Sequence, residues 1–244
     1  MASDFAPCTE AQKQAVLDRL AVIRQNIADA CSAAGRTAQD VTLMAVTKTV
    51  SPELINLAVD AGVTTLGENR VQEFLSKRDA YRKEAEVQFI GHLQTNKVRQ
   101  IIDKVTLIHS VDSLHLAEAV SKAAASKGIT MPVLLEVNIG GEASKSGVSP
   151  AELPSLLSAV QQLPDIRIDG LMTIPPPITD EDEQIRVFTE MRELFDRMRQ
   201  SVPMQTLSMG MSGDYAAAVR CGATLVRIGS ALFGARYYPP KPEG

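Results

Sequence analysis

Apolar and polar residues follow two different rhythms along this chain. Between about residues 10 and 34, Val16, Leu20, Ile23, Ile27, Cys31 and Ala34 recur at helical spacing and lay one apolar stripe along a long helix. Gly35 supplies its stop. From residue 41 onward, short β-rich apolar runs appear instead, each followed by a turn and an amphipathic stretch. The runs predict strands at 41–46, 64–67, 87–90, 107–110, 133–138, 168–173, 206–209 and 225–228. The stretches between them predict helices at 52–61, 71–81, 97–103, 114–126, 150–162, 182–199 and 215–221. Ser51-Pro52 reads as a cap followed by a first-turn proline. Ser149 before Pro150, with Glu152 behind, reads as a capping box.

Eight strands alternating with helices define a parallel sheet, because each crossover returns the chain to the same end. Eight such units close a (β/α)8 barrel. Periodicity alone is equally compatible with an open, doubly wound sheet, although no G-x-G-x-x-G follows the first strand. No repeat or linker divides the chain. The expectation is one domain spanning 1–244: a single TIM barrel with an additional N-terminal helix and a short proline-rich tail at 237–244.

Composition narrows the function classes. The 244 residues are 45% hydrophobic and 22% charged, ordinary for a globular protein that buries a large core. A net charge of −4, with no basic stretch interleaved with aromatics, argues against nucleic acid as a partner. No apolar run is long enough to cross a bilayer, and the N-terminus lacks the basic and apolar regions of a secretion signal. Cys8, Cys31 and Cys221 are widely spaced, which suits reduced thiols in a cytoplasmic protein, with Cys31 and Cys221 as small core residues. His92, His109 and His115 show no ligand-like grouping, so no metal is expected.

The chemistry gathers where strands end. Lys48 closes the run Val41-Thr42-Leu43-Met44-Ala45-Val46-Thr47. A lysine losing hydration there becomes a nucleophilic amine able to form a Schiff base; a charge marking where the strand surfaces is the competing reading. Strand two ends in Gly67-Glu68-Asn69 and strand three in Gly91-His92-Leu93-Gln94. A helix cap at Glu68 or Asn69 and a partly buried imidazole at His92 are the plain readings. After strand seven, Ser208-Met209-Gly210-Met211-Ser212-Gly213-Asp214 leads into a helix, and Gly229-Ser230 follows strand eight. In barrels those two loops build the common phosphate site. Arg227 lies inside an apolar strand, and a buried charge requires a partner, either a carboxylate within the barrel or an acceptor on a ligand. An amine, a phosphate cup and an inward guanidinium together describe pyridoxal 5′-phosphate (PLP).

Several motifs stand in the order seen in one family: Ala45-Val46-Thr47-Lys48-Thr49, Gly67-Glu68-Asn69, Ile90-Gly91-His92-Leu93-Gln94-Thr95-Asn96-Lys97, Ser144-Lys145-Ser146-Gly147, Leu207-Ser208-Met209-Gly210-Met211-Ser212 and Val226-Arg227-Ile228-Gly229-Ser230. From about Leu17 to Arg236 the chain resembles the YggS/PROSC pyridoxal phosphate homeostasis proteins. The resemblance implies a barrel similar to the N-terminal domain of alanine racemase, of fold type III among PLP proteins, with Lys48 holding PLP as a Schiff base. It further implies phosphate contacts from Ser208, Ser212, Gly229 and Ser230, and a contact of Arg227 with the pyridine nitrogen. By the same resemblance Asn69 lines the site and Met209 lies beside the ring. Ser230 stands where many members have threonine, which keeps the hydroxyl.

An arginine opposite the pyridine nitrogen disfavours its protonation and weakens the ring as an electron sink. Related racemases add a base from a separate C-terminal domain, which this sequence is not expected to contain. The leading expectation is therefore a cytoplasmic, monomeric PLP carrier that affects amino-acid and keto-acid balance, with PLP-dependent apoenzymes or vitamin B6 enzymes as recipients or donors. A PLP-dependent racemase-like enzyme is the alternative. A cofactor-free Schiff-base aldolase is a third, by architecture alone. Lys97 and Lys145 are read as solvated charges, with anion binding or recipient contact as the rival role.

Overall fold

The computed structural model describes residues 7–142 and 145–234. Ser144 of the Ser-Lys-Ser-Gly motif, Arg236 and the tail at 237–244 lie outside those residues, as does the stretch 1–6.

Helix α1 (Glu10–Ala33) begins at a reciprocal cap: the Thr9 hydroxyl accepts the Gln12 N–H at 3.2 Å, and the Gln12 side chain accepts the Thr9 N–H at 2.8 Å. Its other end closes at Gly35, where φ is +66°. The Arg36 N–H meets the Cys31 carbonyl at 2.8 Å and the Gly35 N–H meets the Ser32 carbonyl at 3.1 Å, the paired bonds of a Schellman turn. Val16, Leu20, Ile23, Ile27, Ala30 and Cys31 are buried. Ala34, assigned to the same stripe, is exposed because the helix stops one residue earlier.

Eight parallel strands close a barrel in sequence order: β1 (Thr42–Val46), β2 (Thr65–Glu68), β3 (Glu86–Phe89), β4 (Leu107–Val111), β5 (Met131–Val137), β6 (Ile166–Thr173), β7 (Thr206–Met211) and β8 (Leu225–Ile228). Strand β8 pairs with β1, which rules out the open sheet. The intervening helices are α2 (Pro52–Asp60), α3 (Val71–Lys77), α4 (Val98–Ile101), α5 (Leu114–Ala125), α6 (Leu153–Val160), α7 (Glu181–Met198) and α8 (Tyr215–Arg220). A short α9 (Ser230–Phe233), not anticipated from sequence, follows β8.

Three helices differ from expectation. The stretch 71–81 leaves the α-helix after Lys77 and ends in a 3-10 turn, Arg78–Ala80. The stretch 97–103 shrinks to α4 behind another such turn, Thr95–Lys97. Helix α6 starts at Leu153 because Ser149 and Glu152 close a separate turn ahead of it. The Ser149 hydroxyl accepts the Glu152 N–H at 3.3 Å but donates to the Glu152 carboxylate at 2.5 Å, and Pro154 takes the first-turn position.

Strand alternation sorts the core into two layers. Ala45, Leu66, Phe89, Ile108, Leu207, Met209, Val226 and Ile228 join the large cluster between barrel and helices. Met44, Val46, Ile90 and Leu225 form one interior cluster, and Leu107, Leu134 and Met172 another. Cys31 belongs to the core as expected, whereas Cys221 is only half-buried. Helix α1 packs on α8 and α9. The Arg36 guanidinium holds the Val219 and Ala223 carbonyls, both at 2.8 Å, and Asn26 donates to the Tyr215 hydroxyl at 2.8 Å. The added helix thus braces the elements that carry the last two loops. Among the described residues no helix is long and apolar enough to cross a membrane, and no group of histidine, cysteine and carboxylate side chains could hold a metal ion.

Candidate cofactor site

Strand β1 stops at Val46, and Lys48 occupies the turn that follows, half-buried. The strand ends at Val46 as the apolar run predicts, and Thr49, left-handed with φ of +61°, turns the chain just beyond Lys48. The loop after β8 lies directly alongside. Strands β1 and β8 pair from Thr42–Leu225 to Ala45–Ile228, and a Cβ built on Gly229 would stand 3.4 Å from that of Val46.

The loop after β7 reaches the same place. The Ser212 hydroxyl accepts the Gly229 N–H at 3.2 Å and the Ala231 N–H at 3.1 Å, while Ser230 is exposed between them. Two amides converging on one oxygen is the donor geometry that an anion uses. Gly210 makes the approach possible: its φ is +93°, and a side chain there would run into the Ala218 methyl at 2.6 Å. Asp214 ties the turn by accepting the Met211 N–H at 2.5 Å, and burial pushes its carboxyl above the usual range.

Ser208 and Met209, adjacent in one motif, part company. Alternation turns Ser208 into the barrel and Met209 outward into the sheet–helix core, fully buried. The ring-side position implied for Met209 is therefore corrected: its side chain points away from the interior. Ser208 is also fully buried and spends its hydroxyl inside the barrel rather than in the amide cup formed at Ser212.

Arg227, 3% exposed, donates to the Ser208 hydroxyl at 2.6 Å and to the Thr173 carbonyl at 2.7 Å. Ser208 in turn lies 3.1 Å from His109 Nδ1, and His109 Nε2 lies 2.8 Å from the Gln88 side-chain oxygen. Strands β4 and β7 are not neighbours, so this contact crosses the barrel. One proton arrangement satisfies every group: the guanidinium donates to Ser208, Ser208 donates to Nδ1, and Nε2–H donates to Gln88. It requires a neutral imidazole. Burial and the nearby Arg227 charge both push His109 well below its ordinary value, in agreement. Burial brings Arg227 itself down to about 10, so it stays cationic at neutral pH, helped by Glu136 and Asp214.

Glu136 went unremarked in the sequence, although it interrupts Leu134-Leu135 and Val137 as Arg227 interrupts β8. Burial, reinforced by Asp112 and opposed by Arg227, raises its carboxyl to about 7. The folded protein therefore keeps this proton to about pH 7, whereas the unfolded chain releases it near 4.5. Folding binds a proton in that window, and stability contributed here falls as pH rises through it. Glu136→Gln is expected to flatten the decline, by at most on the order of 3 kcal/mol, in urea denaturations from below pH 4.5 to above pH 7.

Asn69 lies half-buried after β2, and its Oδ1 is buried without a hydrogen-bond donor among the described residues. Gly91 packs on it: a Cβ there would stand 2.1 Å from the Asn69 carbonyl oxygen, which accounts for the glycine in the third motif. Glu68 is fully buried beneath α3 and caps no helix, and His92 is exposed rather than partly buried. Lys145 is tied to Glu142 at 2.7 Å and to the Pro175 carbonyl at 3.1 Å. Lys97, half-buried, ends the 3-10 turn before α4.

Hydroxyl and amide groups at Ser212, Gly229 and Ala231, an amine at Lys48, an unsatisfied acceptor at Asn69 Oδ1 and a buried cation at Arg227 form a set of polar groups that fits a phosphorylated aromatic aldehyde. Comparison with known proteins agrees at two levels. Residues 19–237 match the model of the alanine racemase N-terminal domain. Alanine racemase from Clostridium difficile superposes with a TM-score of 0.72 at 19% identity, over 93% of this chain and 58% of that one, which establishes the fold class. Curated relatives are nearer. The pyridoxal phosphate homeostasis proteins of Aquifex aeolicus and Pseudomonas aeruginosa are 44% and 42% identical to it, each covering 91% of this chain and 98% and 96% of their own lengths. PipY from Synechococcus elongatus, solved with PLP bound, superposes with a TM-score of 0.77 at 32% identity, over 90% of this chain and all of that one. The chain belongs to the family of pyridoxal phosphate homeostasis proteins.

Proposed function

We propose that this protein binds PLP covalently through Lys48 and holds it for storage or delivery, acting in intracellular PLP homeostasis and so in amino-acid and keto-acid balance. The observation that carries the reading is the meeting of three loops on one rim: the Lys48 turn beside Gly229, and Gly229 bonded to Ser212. When bound, PLP supplies an aldehyde that condenses with a lysine amine and absorbs visible light. Ser212, Gly229 and Ser230 receive the phosphate, Asn69 lines the mouth, and Arg227 presents a positive charge from below. Ser208 acts indirectly in this reading, by holding Arg227 to the His109 chain. PLP-dependent apoenzymes or vitamin B6 enzymes are the recipients or donors, and the protein works as a monomeric, single-domain carrier in the cytoplasm. Three free thiols, at Cys8, Cys31 and Cys221, suit that compartment.

Absorption spectra of purified protein titrated with PLP test the reading. A saturable visible band is expected, and a protein that stays colourless would remove it. Arg227→Gln is expected to shift that band while weakening PLP affinity less than tenfold. An unshifted band with lost binding would move Arg227 from the ring to the anchor.

A racemase-like enzyme is the second reading, favoured by the buried Glu136 carboxyl near 7, a value suited to proton transfer at neutral pH. Incubation of the loaded protein with each L-amino acid in deuterated water separates the two. Exchange of the α-hydrogen at turnover rates supports the enzyme; its absence supports the carrier.

A further inference from the structure

Lys48 sits between two peptide planes, and both are gripped from outside the turn. The Thr47 carbonyl, on the plane before Lys48, accepts from Lys77 Nζ at 2.9 Å. The Thr49 N–H, on the plane after it, donates to Glu73 Oε1 at 2.5 Å. Fixing the planes on either side of one Cα fixes its φ and ψ, and hence the direction in which its side chain leaves the backbone. The two gripping groups are themselves an ion pair of 2.8 Å, one turn apart on α3. Lys77 Nζ also reaches the Val50 carbonyl at 3.5 Å, so it spans the whole turn.

The pair has its own support. Lys77 is 3% exposed, a burial that a lysine tolerates only with compensating charge and acceptors. Besides Glu73, it has Glu68 Oε1 at 3.7 Å. Glu68 accepts from the Thr47 hydroxyl at 2.7 Å and from the Tyr81 hydroxyl. The left-handed Thr49 is the strained element that such a grip maintains. The Thr47 carbonyl, two bonds from the Lys48 Cα, already accepts the Val50 N–H at 3.1 Å, so the buried Lys77 adds a second bond to the same turn.

We propose that Lys77 and Glu73 are positioning residues for Lys48, aiming its amine into the barrel mouth. The proposal rests on Lys48 being the attachment point for PLP, but its first test does not require the cofactor. In the cofactor-free protein, hydrogen exchange at the Thr49 amide and the rate of Lys48 acylation by acetic anhydride are measured for wild type, Glu73→Ala, Glu73→Gln and Lys77→Met. Glu73→Ala and Lys77→Met are expected to speed Thr49 exchange at least ~10-fold and to alter the pH profile of Lys48 acylation. Glu73→Gln, which keeps an acceptor for the Thr49 N–H, is expected to stay near wild type. With PLP added, Glu73→Ala is expected to weaken covalent attachment about tenfold. Folded Glu73→Ala protein with wild-type exchange, acylation and attachment overturns the proposal, as does Glu73→Gln behaving like Glu73→Ala. A wild-type protein that never attaches PLP defeats the cofactor reading alone, because the exchange and acylation results still judge the grip.

Discussion

Lys48→Ala protein is expected to fold normally, to bind PLP at least ~100-fold more weakly than wild type, and to show no visible band when PLP is added. The factor corresponds to about 2.7 kcal/mol. Lys48 is half-buried in a turn, so its truncation leaves no cavity in either core layer, and stability is expected to change by less than ~1 kcal/mol. The amides of Gly229 and Ala231 and the Ser212 hydroxyl remain in place, which leaves phosphate-directed, non-covalent binding. Equilibrium dialysis gives the affinity, and thermal denaturation gives the stability. Undiminished binding by this variant would mean that attachment is not what holds the cofactor.

Gly91→Ala is expected to have a large structural effect for its size. The added methyl would stand 2.1 Å from the Asn69 carbonyl oxygen, a backbone atom with no rotamer to escape into. Either β3's exit loop or the Asn69 segment moves. Overpacking of this kind costs roughly 2–3 kcal/mol. For a chain of this length that lowers the melting temperature by about 5–10 °C. Because Asn69 lines the mouth, PLP affinity is expected to fall as well. Calorimetry and titration check the two effects separately; an unchanged melting temperature would show that the loops yield more easily than their packing implies.

Much of this architecture was legible in the sequence. Short β-rich apolar runs alternating with helical stretches located all eight strands to within about two residues, because a parallel strand covered on both faces reads as a nearly continuous apolar run. Barrel closure was harder to read, since parallel pairing looks the same in an open sheet until β8 meets β1. At the site, Lys48 and Arg227 stood out as charges at the end of one apolar strand and inside another, and Ser212 and Gly229 because two small-residue loops follow the last two strands. The misreading of Met209 has a simple cause. A motif lists neighbours in sequence, but a strand sends neighbours to opposite faces, and Ser208 took the interior.

What stayed hidden was mostly long-range pairing. His109 reads as an ordinary polar residue in Leu107-Ile108-His109-Ser110-Val111 until Ser208, 99 residues later, arrives across the barrel. Glu136 could have been found by the reasoning applied to Arg227, since both are ionisable residues within apolar strands. Lys77 gave no such signal. On a predicted amphipathic helix it looks like one more solvated charge, and only the turn at Thr47–Val50 folding beneath it shows otherwise.

Borohydride reduction of the PLP-loaded protein, followed by peptide mapping, tests the central claim most directly. Reduction makes the lysine–cofactor bond permanent, so the modified residue is read from its mass. A single phosphopyridoxyl group on Lys48, at close to one per chain, is the expected result. Modification concentrated on Lys97 or Lys145, or none above background, would contradict it.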